Sequence, residues 1–570
     1  MTLTAPLPLR MPEWATALLA AILLLTGATA ANSAPAPPSI DVVLQPALDP
    51  TPALGVTMRL SAPDLPAGAA LLRMPVVLVG TPTAAYAASD VTARDAVGAL
   101  PLTFLDEAPG GSGIYRQYLV ARATSGPVTV SYRAAPRAVG PETRNGPLFD
   151  WRREGEGMMG AGVYFFAVPP REAKHRIRLS WDLPPGLRGV SSRGEGPQSW
   201  EDQPDSLAYT FYAAGPVQSA PTDGRGDFVF YWLRQPPFDP ATLGQNTERL
   251  FRSMAAFFGE RGQAYRVFAR SNPYPAGGGT ALARSFMFGY GSNGQSNPNG
   301  IDMLVAHEMA HTWPKLAGDH ALTAWYSEGT AEFYSVLLSL RAGTIDHARF
   351  LSLINRKAES YYTSTYRELS NAEAGKLFWK DPRAQRVPYE RGFLYLARLN
   401  GQIRAKSRGT RGVDQLVLEV LNRQRKGQQV GNAEWRALVV AELGERASAE
   451  FDDMAAGKLL GPPAEAFAPC YRLVPATLTR FELGFSDSRP DMIKDLRPGT
   501  SAERAGLREG DVILSMTPLS EVRDNPAAEM VLEIRRGDRT LPVRFTPRSD
   551  PAAGWQWERA AGVSDRTCKL

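Results

Sequence analysis

The chain has 570 residues, 44% of them hydrophobic and 21% charged, and carries a formal net charge of +5. Those are the proportions of ordinary globular domains, and the length suits about three or four of them. So small a charge, with no long basic block, excludes nucleic acid as a partner; "RAKSRGTR" (Arg404–Arg411) and "NRQRK" (Asn422–Lys426) read as solvated helix ends or loops.

At the N-terminus, Arg10 precedes the apolar run "WATALLAAILLLTGATA", which ends in the small-residue pattern Ala28-Thr29-Ala30. This is the layout of a secretory signal peptide over 1–30, with cleavage expected before Ala31. The apolar core, about Ala15 to Leu25, is too short to span a bilayer comfortably, an uncleaved anchor being the alternative; no other stretch is apolar enough, so no membrane span is expected after cleavage. The expected location is therefore the bacterial periplasm or the exterior of the cell. Residues 31–39 hold a Pro/Ala-rich leader, "APAPPS".

From 40 to 215 the chain alternates as strands do. "VTVSYR" puts Val128, Val130 and Tyr132 on one face, and "HRIRLSW" does the same for Ile177, Leu179 and Trp181. With turn-rich breaks such as "PPGLRG", a β-sandwich-like domain is expected, without recognisable chemistry. Past Gly215-Pro216 the pattern changes. "DFVFYWLR" predicts a fully apolar strand, and "TERLFRSMAAFFGE" a helix capped by Thr247 with Leu250, Met254, Phe257 and Phe258 on its apolar face. Residues 301 to about 460 read as mostly helical, "DQLVLEVLNRQ" and "AEWRALVVAELGE" being amphipathic examples. Short strands return over 470–548, with a hairpin in "MVLEIRRGDRTLPVRF" turning at Gly537-Asp538, and 549–570 is expected as a C-terminal tail. The chain's two cysteines, Cys470 and Cys568, suit one disulfide in an exported protein, two unpaired thiols being the alternative.

The chemistry is concentrated in "DMLVAHEMAHTWPKL", Asp302 to Leu316. Residues four apart share a helix face, so His307 and His311 present two imidazoles to one point, as a zinc ion requires. Glu308 is turned about 100° away and reaches water beside the metal rather than the metal itself. In "AWYSEGTAEFYSVLL", Glu328 and Glu332 lie one turn apart on an otherwise apolar helix, where carboxylates seldom stand unless paired or metal-bound. Glu328 is the candidate third ligand. Glu332 is either a carboxylate that holds a ligating histidine by its other ring nitrogen or an exposed helix residue. His320, in "AGDHAL", is more simply a surface residue.

Taken together, "HEMAHTW", "WYSEG" and "VPYERGFLYL" resemble the zinc metallopeptidases called gluzincins, and among them the glycyl-aminopeptidase-like family. The resemblance implies a multidomain α+β chain. Its parts are a β-rich N-terminal domain (40–215), a thermolysin-like, mostly helical catalytic domain (216–465) and a small C-terminal PDZ-like β domain (470–548). It implies one zinc ion on His307, His311 and Glu328, with Glu308 as general base and Tyr389 stabilising the oxyanion. The substrate is then a peptide or protein, cleaved in the manner of an aminopeptidase. Two departures stand out. The family's G-G-[LM]-E segment corresponds to "AGGGTALARSF" (Ala276–Phe286), where Gly278 and Gly279 suit close approach of a substrate backbone but the amine-gripping glutamate is missing. Endopeptidase action is thus an alternative. In the PDZ-like part, "FELGF" (Phe481–Phe485) and "GTSAERAGLREGDVIL" fit, but "PLSEVRDNPAAE" looks about ten residues too short for the helix lining a peptide groove, which suggests a brace. A further alternative is a catalytically decayed peptide-binding or envelope scaffold protein.

Overall fold

The computed structural model describes residues 37–570 apart from 62, 111–112, 141–142, 144–146, 261, 274–277, 292–297, 379, 463, 488, 490, 524 and 569. The expected signal peptide and most of the expected leader lie outside the described residues. No helix among the described residues is long and apolar enough to cross a membrane.

The N-terminal part is β-rich, as its alternation predicts. In its seven-stranded sheet, Ser39–Ala47 pairs antiparallel with the central strand Ala53–Leu60 and parallel with His175–Trp181. Val128, Val130, Tyr132, Ile177 and Leu179 face inward, whereas Trp181 is only half-buried. The same core takes in Leu72, Met74, Tyr118 and Val120 from a four-stranded sheet, so two sheets cover one interior.

A five-stranded sheet follows, built from β1 (Gln218–Ala220), β2 (Phe228–Trp232), β3 (Tyr265–Asn272), β4 (Gly279–Leu282) and β5 (Ser285–Gly291) in the order β1-β2-β3-β5-β4. Its central strands β2, β3 and β5 run parallel and are buried on both faces, the pattern of a sheet covered on both sides, with Arg266, Arg270 and Asn272 of β3 as polar exceptions. Val229, Tyr231, Phe268 and Met287 pack toward the N-terminal part, and Phe228, Phe230, Val267, Phe286 and Phe288 toward the helices. That leaves β4 as an edge strand.

The helix between β2 and β3, α1 (Pro240–Phe257), starts earlier than predicted. Asp239 accepts from the Ala241 N–H and Pro240 occupies the first turn, a stronger start signal than Thr247. Thr247 sits inside the helix, its hydroxyl donating back to the Leu243 carbonyl. The helical part continues with α2 (Pro298–Ala310), α3 (His320–Arg341), α4 (His347–Tyr362), α5 (Asn371–Leu377), α6 (Pro382–Lys406), α7 (Asp414–Arg425), α8 (Asn432–Leu443) and α9 (Glu445–Ala455).

Residues 549–570 differ from the expected tail. Ala552–Arg559 pairs antiparallel with Tyr471–Leu478 along its whole length. Trp557 is buried in the helical core, and its backbone exchanges two hydrogen bonds with the Asn355 side chain on α4. Cys470 and Cys568 form a disulfide beside it. Between the two halves of this ribbon lies a small lobe with a three-stranded sheet, its own core (Leu483, Phe485, Ile493, Leu507, Leu532, Ile534) and the predicted hairpin at Gly537-Asp538. Within "PLSEVRDNPAAE" the only helix among the described residues is Leu519–Val522, four residues long.

The N-terminal part and the central sheet are joined by buried charge. Asp150 contacts Arg270 on β3 and receives Arg152 Nε at 2.9 Å, all three side chains being almost fully buried. Burial pushes the Asp150 carboxyl up, but the two guanidiniums outweigh it and hold its pKa below the ordinary value. Its contribution to stability is therefore complete above the unfolded-state pKa and is lost as pH falls through the lower folded value. Asp150→Asn is expected to destabilise the fold by about 3–5 kcal/mol, because two buried arginines lose their carboxylate, and to flatten the acid limb of stability. Denaturant unfolding of both proteins across the acid range checks this.

Candidate metal centre

Helix α2 buries Ile301, Val305 and Met309 along one stripe. His307 is buried beside that stripe and His311 follows one turn on, half-exposed. Helix α3 begins at Asp319, whose carboxylate caps the Ala321 N–H, and runs almost wholly buried past Glu328 and Glu332. Their crossing brings three donor atoms together. His307 Nε2 and His311 Nε2 are 3.0 Å apart, and Glu328 Oε2 lies 3.3 and 3.2 Å from them.

Bonds of about 2.0–2.2 Å to a tetrahedral ion give ligand–ligand edges of roughly 3.3–3.6 Å, so this triangle needs to open only slightly to hold zinc. A second observation agrees. Glu328 Oε2 is buried and accepts no hydrogen bond among the described residues, although two imidazole nitrogens flank it. A carboxylate oxygen in that state is costly unless a cation meets it. Burial alone would raise the Glu328 pKa; its interactions with His307 and His311 bring it below the ordinary value.

The remaining predicted residues are placed around this group. Glu332 is buried one turn below Glu328, its Oε1 3.3 Å from His307 Nδ1, so it is not an exposed helix residue. Glu308 is half-buried, and burial together with the Glu328 charge raises its pKa against the opposing effect of His307 and His311. Tyr389 lies on α6 with its ring stacked on that of His307, centroids 5.5 Å apart and planes 7° apart. Burial and the Glu328 and Glu308 charges raise its pKa well above the ordinary value, which keeps the phenol a donor. His320 is exposed at the start of α3, edge-on to Phe378. Gly278 has a positive φ of 80°, and Gly279 opens the edge strand β4, where the Phe286 ring fills the place of a side chain. Ala276 and Gly277 lie outside the described residues.

Sequence reasoning passed over two features. Gly329 and Gly392 meet where α3 crosses α6: a methyl on Gly329 would come within 2.5 Å of Gly392 Cα, and one on Gly392 would overlap the Trp325 carbonyl. The glycines after Glu328 and Arg391 thus let two helix backbones touch, one of them the helix that stacks Tyr389 on His307. The other is Lys357 on α4, in contact with Glu332. It stands on the stripe of Phe350, Leu353, Ile354 and Tyr361, and a lysine on an apolar stripe was a readable anomaly.

No protein-family model matches the chain, and no curated protein matches it. Among solved structures it is similar to an aminopeptidase N family protein from Idiomarina loihiensis, with a TM-score of 0.66 at 15% identity over 91% of this chain and 98% of that one. It also aligns with an M1 zinc metallopeptidase from Deinococcus radiodurans (TM-score 0.45, 16% identity, 75% of this chain and 96% of that one). A yeast LTA4 hydrolase gives a TM-score of 0.46 at 15% identity, over 75% and 69%. The first likeness establishes a shared fold.

The helix crossing generates a test. Gly392→Ala is expected to destabilise the protein by about 1–3 kcal/mol through overpacking at the crossing. Gly300→Ala, where an added methyl meets nothing among the described residues, should be neutral or stabilising by up to about 1 kcal/mol. Thermal and denaturant unfolding of the two variants would separate the close-approach argument from a general intolerance of alanine.

Proposed function

We propose that the protein is an exported zinc-dependent metallopeptidase that hydrolyses peptide bonds. The observation that carries this is the buried triangle of His307 Nε2, His311 Nε2 and Glu328 Oε2 with Glu308 and Tyr389 beside it. The fold likeness to an aminopeptidase N family protein supports the same reading. His307, His311 and Glu328 would hold one zinc ion per chain, which when bound would supply a Lewis acid and a water acidic enough to attack at neutral pH.

The chain's own groups account for the rest. Glu308 takes a proton from the attacking water as the new C–O bond forms. It returns that proton to the amide nitrogen as the C–N bond breaks, so that a carboxylic acid and an amine leave. The Tyr389 phenol donates to the carbonyl oxygen as negative charge develops there. The open edge of β4, beginning at Gly278-Gly279, suits backbone pairing with an extended peptide, with glycines letting the chains approach. Thr280 on that strand accepts from the Leu148 N–H at 2.6 Å, which ties the edge to the N-terminal part.

Residues 279–282 of β4 carry no carboxylate, which favours either endopeptidase action or an amine anchor elsewhere over the family's usual amino-terminal grip. The small lobe between the ribbon strands serves as a PDZ-like brace, its four-residue helix giving little wall for a peptide groove. Export is supported by the N-terminal apolar run and by the Cys470–Cys568 disulfide, which persists in oxidising compartments.

Incubation of the mature protein with a mixed peptide pool, followed by mass spectrometry, tests the reading. Cleavage is expected with the wild type and not with Glu308→Gln. Loss of single N-terminal residues would identify an aminopeptidase, and internal cuts an endopeptidase. About one zinc per chain should be bound, and His311→Ala should lose it. Zinc bound without cleavage would instead favour a decayed, peptide-binding scaffold.

A further inference from the structure

One cluster beside the metal centre has no part in the chemistry above. Glu332 Oε2 contacts Lys357 Nζ from α4. From α6, Arg386 Nη2 stands 3.9 Å from Glu332 Oε1, while Arg386 Nε is committed to Glu390 Oε1 at 3.1 Å. Ser360 Oγ donates to the same Glu390 oxygen at 2.7 Å. Three helices thus converge on the carboxylate that faces His307 Nδ1.

Lys357 is the costly member. Its side chain is 14% exposed, and the ammonium lies 5.7 Å from the centre of the Phe393 ring. Lysine's ammonium is compact and strongly hydrated, so burial is unfavourable for it. Burial and the Arg386 charge push its pKa down, with Glu390 opposing. A methionine here would fill the same space without that cost. The ammonium is explained by what it touches.

We infer that Lys357 is a positioning residue for the metal centre: it holds Glu332 as an oriented carboxylate against His307 Nδ1 and so fixes the imidazole with Nε2 turned toward His311 and Glu328. The inference rests on the zinc-peptidase reading of the site. A neutral imidazole has a single N–H, and ligation through Nε2 requires that hydrogen on Nδ1, where it needs an acceptor. Nδ1 makes no hydrogen bond among the described residues, and Glu332 Oε1, 3.3 Å away, is the carboxylate oxygen that can supply the acceptor on turning toward it; a carboxylate acceptor makes the ring a better ligand. Arg386 cannot replace Lys357, being farther away and already paired with Glu390. Without Lys357, the Glu332 carboxylate loses its nearest cation and swings toward Arg386, which leaves Nδ1 poorly held.

The test is zinc affinity by competition with a chromophoric chelator, with the visible spectrum of the cobalt-substituted protein as a second readout. Lys357→Met is expected to weaken zinc binding by about 10–100-fold and to alter the cobalt spectrum, while circular dichroism stays native. Lys357→Arg should restore most of the affinity. Glu332→Gln should weaken binding similarly, and the Lys357→Met/Glu332→Gln double variant should bind no more weakly than Glu332→Gln alone, because both act through one contact. Wild-type affinity in Lys357→Met, or multiplicative effects in the double variant, would overturn the inference. Should Lys357→Met not fold, unchanged affinity in the isosteric Glu332→Gln overturns it as well. A wild type that binds zinc and cleaves peptides beside an unaffected Lys357→Met removes only this inference; a wild type that binds no zinc removes the zinc-peptidase reading and this inference with it.

Discussion

The structure turns on the burial of two carboxylates, Glu328 and Glu332, one turn apart on a helix that is otherwise packed against apolar neighbours. Removing an ionised carboxylate from water costs several kcal/mol even after relaxation, so each must be met by positive charge or by strong donors. The two are met differently. Glu332 has Lys357 in contact and Arg386 behind it. Glu328 has two imidazole nitrogens flanking its buried oxygen, a donor set that suits a divalent cation. The placement of α2, α4 and α6 around α3 follows from this difference. Each delivers a group that one of the two carboxylates needs.

Much of that was legible in the sequence, because helix periodicity turns spacing into shared faces. "HEMAH" places two imidazoles together whatever the rest of the chain does, and glutamates on an apolar helix announce a partner. The partners were harder to see. Lys357 and Arg386 come from helices later in the chain, and nothing local pairs them with Glu332. The strand alternation in "VTVSYR" and "HRIRLSW" gave the inward faces, yet not that Ser39–Ala47 pairs parallel to His175–Trp181 across more than a hundred residues. Thr247 was mistaken for a cap because the apolar run starts there, whereas Asp239-Pro240 fixes the helix start two turns earlier. The expected tail failed for a similar reason. "AAGWQWER" alternates weakly, and its pairing with Tyr471–Leu478 is set by a core that the segment itself does not contain.

The central sheet explains why the N-terminal part matters to the site. Its two faces are apolar in alternate residues, one covered by helices and the other by the N-terminal part. The buried Asp150–Arg270 pair links the two layers at one point, where separating the partners would leave a buried charge unpaired. Leu148, two residues from Asp150, holds Thr280 on β4. The edge proposed to receive the substrate is therefore aligned by the same joint that locks the two parts together.

The C-terminal ribbon bears on the site from the opposite side. Asn355 on α4 exchanges two hydrogen bonds with the Trp557 backbone, and Lys357, two residues along the same helix, contacts Glu332. A helix turns about 200° over two residues, so Asn355 and Lys357 project from nearly opposite faces. Helix α4 is in this way clamped between the ribbon and the charge cluster. Its outward side is fixed by a strand that the Cys470–Cys568 disulfide ties down, and its inward side by the carboxylate facing His307. A strand more than two hundred residues after the zinc-ligand candidates thereby helps to set the orientation of His307.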